Sequence, residues 1–192
     1  YVAGLAAFVA AVTALPIAYT SSRGGLAGRF AEKAVYFGYA LPGVVLGLAL
    51  VFFGSGTPIY QTIPLLVFGY VVRFLPESVG VTRSSFVQFD ERLADASRTL
   101  GNSPRRTFFR VVLPLVAPGV IAGAALVFLT TMKELPVTLF LRPAGFETLV
   151  TYIWSAYHEG FFGQAAVPAL ILVGISALSM LVILSTEKYE LG

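Results

Sequence analysis

Residues Asp95–Pro114 read DASRTLGNSPRRTFFRVVLP and lie in the most charged part of a chain that is otherwise strongly apolar. The passage spells out its own local structure. Asp90, just upstream, suits a helix N-cap, because its carboxylate can accept a bond from a backbone N–H left free in the first turn. Glu91 then complements the positive end of the helix dipole. Leu93, Ala96 and Leu100 recur at helical spacing and make one narrow apolar stripe. Gly101 marks a stop, since the residue just past a helix end commonly takes positive φ. Ser103-Pro104 restarts a helix at once, with Ser as cap and Pro at the first helical position. The stretch predicts a short surface helix, a tight turn, and a second helix that runs into the membrane.

Membrane is required by composition. Of 192 residues, 57% are hydrophobic and only 12% are charged, against about 25% charged in a soluble domain. There are no cysteines, which excludes disulfides and thiolate metal sites. The one histidine, His158, argues against a catalytic triad or a histidine-based metal cluster. No catalytic residue, resident cofactor, bound metal or nucleic-acid partner is expected. Tyr1 is not an initiator Met and no basic region precedes the first apolar run, which suggests a piece of a longer chain.

About 20 apolar residues cross the hydrocarbon, and charge-free runs place five spans at residues 1–22, 34–53, 54–72, 111–132 and 161–186. The expected fold is therefore all-α and multi-pass. Prolines 16, 42, 64, 114, 118 and 168 fall within or at the ends of these runs, which membrane helices tolerate. With five spans, eleven of the thirteen Lys and Arg residues fall on one side: residues 23, 29 and 33, seven from Arg73 to Arg110, and Lys188. Only Lys133 and Arg142 fall on the other, so the positive-inside rule puts the Asp95 passage in the cytoplasm. Gly43/Gly47 and Gly119/Gly123 are small-residue pairs that predict close helix packing. Gly54-Ser55-Gly56-Thr57 lacks the Gly-Lys-Ser/Thr of a phosphate-binding loop and reads as a turn.

The charged passage resembles the EAA loop of ABC-transporter permeases: Glu-Ala-Ala, three residues, Gly, nine residues, then Ile-x-Leu-Pro. The matching positions are Asp95-Ala96-Ser97, Gly101 and Val111-Val112-Leu113-Pro114, with every spacing kept. Asp for Glu, Ser for Ala and Val for Ile are the departures. The run MKELPVTLFLRP, then FETLVTYIWS and GFFGQAAVPAL, resembles the second half of ferric-iron permeases, in which two such halves are commonly fused. Permeases for thiamine, polyamines and phosphonates share much of the pattern.

The resemblance implies a single MetI-like transmembrane permease domain over residues 1–192, in a bacterial inner membrane among lipid. Its implied partners are ATP-binding cassette ATPase subunits inside, a periplasmic substrate-binding protein outside, and a second permease half on the same or another chain. Asp95, Ala96, Ser97, Gly101, Leu113 and Pro114 would couple to the ATPase, which would hydrolyse the ATP that this chain does not. Lys133 and Glu134, at the edge of a span, are the candidates for the translocation path, because ionisable groups there are costly and often functional. The bland alternative is that they meet water or each other at the outer interface. The connection from Lys133 to Gly160 is expected to cover the path, with Leu135–Leu141 as a short apolar segment. Thr148–Tyr157 reads as an interfacial helix carrying Tyr152, Trp154 and Tyr157. A passive channel, a structural membrane protein or a membrane enzyme are the rival classes; none requires the EAA spacing.

Overall fold

A computed structural model describes residues 1–190, the side chains of Ser179 and residues 181–190 excepted. Lys188, counted above among the inside cations, lies outside the described side chains. Among the described residues ten α-helices follow one another: α1 (Val2–Ser22), α2 (Leu26–Tyr39), α3 (Gly43–Gly54), α4 (Ile63–Gln88), α5 (Glu91–Thr99), α6 (Pro104–Thr107), α7 (Leu113–Met132), α8 (Pro136–Leu141), α9 (Leu149–His158) and α10 (Phe162–Glu190). A widened π turn, Phe108–Val112, joins α6 to α7 without a break, and the Leu113 N–H donates to the Phe108 carbonyl across it. Pro114 follows and has no N–H for the ladder, the kind of position at which such a turn absorbs the mismatch.

The helices α1, α4 and α6–α7 are each long and apolar enough to cross a membrane. They pack together around two clusters. Ala6, Ala10, Leu66, Tyr70, Val127, Val137 and Leu141 belong to the larger. Ala18, Phe86, Ala94, Val112 and Val116 form the smaller, at the end that carries α5. The alanine face of α1 and the glycines of α7 let backbones approach where lipid gives no hydrophobic drive to association. A Cβ on Gly119 would collide with the Ser85 hydroxyl, and one on Gly123 would come within 3.0 Å of the Ser78 carbonyl. Gly47 packs as closely on Phe140 of α8. Both expected small-residue pairs therefore lie at close contacts.

Two predicted spans differ in outline. Residues 34–53 are not one straight helix, because α2 and α3 meet at 101°. Pro42 has no N–H and disfavours helical backbone at Leu41, so the ladder cannot pass through. Residues 54–72 do not form the third span either. The turn predicted at Gly54–Thr57 forms just past the end of α3, with Gly56 at φ +78°, the connection continues to residue 62, and α4 starts only at Ile63. That helix runs 26 residues, about 39 Å at 1.5 Å per residue, straight past Arg73, Glu77 and Arg83. The charge-free rule stopped at Arg73 because it could not see the partners that make these charges tolerable: Glu134 for Arg73, the Thr130 hydroxyl for Glu77, and Glu32 for Arg83. Arg73 is thus corrected from a loop cation to a residue within a spanning helix.

Candidate functional site

The cytoplasm-assigned passage folds as its residues dictate. Asp90 caps α5, its carboxylate accepting from the Arg92 N–H at 3.0 Å. Gly101 ends the turn at φ +83°, and its N–H donates to the Arg98 carbonyl at 2.9 Å. Ser103 caps α6 by accepting from the Arg106 N–H at 3.4 Å, with Pro104 in the first turn.

The predicted site residues divide between the two faces of α5. Asp95 and Ala96 are exposed, and Asp95 meets Arg98 at 3.3 Å on the surface. Ser97 is buried, with its hydroxyl 3.1 Å from that of Thr107 and accepting from the Asn102 side-chain amide at 3.2 Å. Serine in place of the pattern's alanine thus has a use here, since it ties α5 to the root of α7. Ala94 inserts beside it among Phe86, Phe89 and Phe108, and Tyr19 stacks edge-on against Phe86 and Phe108 at 5.5 and 5.7 Å. Leu113 is half-buried and Pro114 exposed at the start of α7. The apolar stripe of Leu93, Ala96 and Leu100 points the other way, into solvent, with Leu100 83% exposed. A short helix is therefore clamped by one face and offers an apolar stripe on the other.

Lys133 and Glu134 do not pair with each other. Lys133 is exposed, whereas Glu134 is buried after the end of α7 and faces α4. Its Oε2 lies 3.2 Å from Arg73 Nε, and its Oε1 accepts from the Val137 N–H at 3.2 Å, in the first turn of α8. Arg73 Nη1 donates at 3.1 Å to the Leu41 carbonyl at the α2–α3 bend. Close by, the Tyr70 and Thr138 hydroxyls are 2.7 Å apart, and the Thr130 hydroxyl donates to Glu77 at 3.0 Å. Arg73 and Glu77 were missed as site candidates because they were assigned to a loop. Their spacing of four on an α4 otherwise apolar on either side was the available signal. Among the described residues no three His, Cys, Asp or Glu side chains are grouped as a metal site would need.

The connection from Lys133 to Gly160 holds a short helix at each of the two predicted segments, α8 and α9. Val137, Thr138 and Leu141 of α8 are fully buried between α3 and α4. Thr148 and Thr151 form a reciprocal cap for α9, which leaves Tyr152, Trp154 and Tyr157 partly exposed.

Apolar helices of spanning length, a sharply bent helix pair, and a short capped helix packed at one end of the bundle make a multi-pass membrane fold of MetI-like architecture. The chain belongs to the family described as binding-protein-dependent transport system inner membrane component, whose sequence pattern matches residues 5–187. It is 30% identical to the Fe(3+)-transport system permease protein FbpB 2 of Haemophilus influenzae, over 98% of this chain and 37% of that one. It is 32% identical to a protein of Haloferax volcanii named as a probable molybdenum ABC transporter permease, over 98% of this chain and 74% of the relative. The chain thus spans little more than a third of the ferric relative. A solved inward-facing structure of the MetNI methionine ABC transporter has the same fold, with a TM-score of 0.70 over 98% of this chain and 89% of that one, at 19% identity.

Proposed function

We propose that this chain is one permease half of a binding-protein-dependent ABC importer, with ferric iron as its cargo. In this reading α5 lies on the cytoplasmic side and docks its Leu93–Ala96–Leu100 stripe into an ATPase subunit, while a substrate-binding protein delivers cargo from the opposite side. A second half, on the same or another chain, completes the path. The chain itself hydrolyses no ATP. The observation that carries the reading is the two-faced α5: buried Ala94 packs on Phe86 of α4, buried Ser97 bonds Thr107 of α6, and the exposed stripe remains for a partner. A helix held this way can transmit a push into the spans, because its cap, its glycine stop and its hydroxyl bridge leave little slack.

Glu134 fits this reading as a structural acid beside the path rather than as an open cation ligand, because both of its oxygens are engaged. Molybdate is the second reading of the cargo, favoured by the Haloferax volcanii relative, of which the match covers twice the share. Uptake into proteoliposomes holding the assembled transporter, its ATPase and its binding protein decides between them. Radioactive iron should accumulate with ATP and not without it. Accumulation of molybdate alone would replace the cargo, and no ATP-dependent uptake of any tested solute would remove the importer reading.

A further inference from the structure

The junction around Arg73 joins three segments that are far apart in sequence. The α2–α3 bend leaves the Leu41 carbonyl without a helical partner, and Arg73 Nη1 supplies one at 3.1 Å. The start of α8 leaves the Val137 N–H free, and Glu134 Oε1 accepts from it at 3.2 Å. The remaining arm of each side chain closes the ion pair at 3.2 Å. Inside a membrane such backbone groups have no water to turn to, so each needs a protein partner. Gly43 is fitted to the junction, because a Cβ there would lie 3.0 Å from Arg73 Cζ and from Glu134 Oε1. Around it Gly47 meets Phe140, Gly69 meets Val137 and Leu141, and Tyr70 meets Thr138.

We infer that Arg73 and Glu134 are positioning residues that lock α3, α4 and α8 into one rigid unit, so that the translocation path opens along other helix surfaces. Each charged group serves a backbone group as well as its partner, so their places cannot be exchanged. An Arg at 134 has no acceptor for the Val137 N–H, and a carboxylate at 73 has no proton for the Leu41 carbonyl. Lysine at 73 offers a point charge without the fork that reaches both partners. The inference rests on the permease reading for its transport readout only.

The absence of native cysteine makes two tests clean. In the first, Gly47→Cys and Phe140→Cys are combined, positions whose Cβ atoms would lie 3.3 Å apart, close to the range a disulfide spans. Oxidation should leave uptake intact, because the two helices do not separate during the cycle. Loss of uptake that a reductant restores would overturn the lock.

The second test reads the lock without transport. Val137→Cys, fully buried, should resist N-ethylmaleimide in the parent and react several-fold faster with Arg73→Gln, with Arg73→Lys in between. The exchanged pair Arg73→Glu/Glu134→Arg should stay reactive; restored protection would mean a simple ion pair and overturn the capping roles. If the parent takes up no solute at all, the permease reading fails while the labelling still decides the lock.

Discussion

Replacing Gly101 isolates one backbone angle from everything else at the turn proposed to couple to the ATPase. The residue sits at φ +83°, and a Cβ added there meets nothing within 4 Å. Steric crowding with neighbours is therefore not part of the effect. What remains is the left-handed conformation itself, about 1–2 kcal/mol for an L side chain, and more when the Cβ is branched. Asn is the exception, because its side chain can hydrogen-bond locally in that conformation. Two backbone bonds hold the turn, Gly101 N–H to the Arg98 carbonyl at 2.9 Å and Asn102 N–H to the Ser97 carbonyl at 3.3 Å, each worth about 1 kcal/mol net. Strain in Gly101→Val thus matches what keeps the turn closed, while the spans lie outside its reach. We expect coupling to fall in the order Gly, Asn, Ala, Val, with membrane insertion and yield unchanged. The assay is ATP hydrolysis in proteoliposomes with and without loaded binding protein: wild type is stimulated and Gly101→Val is not. Full stimulation in Gly101→Val, or loss of membrane insertion with it, would mean that the left-handed turn does not transmit the signal.

Two further outcomes follow from the packing. Gly119→Leu must push α7 off α4 at Ser85, and overpacking of this kind costs about 1–3 kcal/mol; the detergent-solubilised protein should melt lower, and more so than with Ile121→Leu at an exposed position on the same helix. Ser97→Ala and Thr107→Val should show a coupling of about 1 kcal/mol in a double-mutant cycle of thermal stability, since the two hydroxyls bond each other out of water; strict additivity would deny the bridge.

Local rules were legible wherever a residue acts on its own neighbourhood. Asp90, Gly101, Ser103 and Pro104 each do what their chemistry prescribes within one turn, so the short helix and its stop could be read directly. The stripe of Leu93, Ala96 and Leu100 was equally legible, but not its direction: periodicity defines a face, and only packing says which face is turned inward. The membrane passages were legible as apolar runs until long-range pairing intervened. Arg73 ends a charge-free window and so looked like a loop residue; its partner Glu134 arrives only after the next spanning helix. Glu77 was lost for the same reason, its hydrogen-bond partner Thr130 lying 53 residues away. Pro42 was noted as tolerable within a span, yet with the junction at Leu41 to receive it the chain turns through 101° instead.

In the importer reading α5 meets an ATPase subunit on the cytoplasmic side. A cysteine at Leu100, 83% exposed in a chain with no other cysteine, can carry a short photo-activated crosslinker in intact cells. One dominant adduct is expected, containing an ATPase subunit, formed only with a membrane-permeant reagent and weakened by Leu93→Asp. An adduct formed equally with an impermeant reagent, or one containing the external binding protein, would contradict that reading.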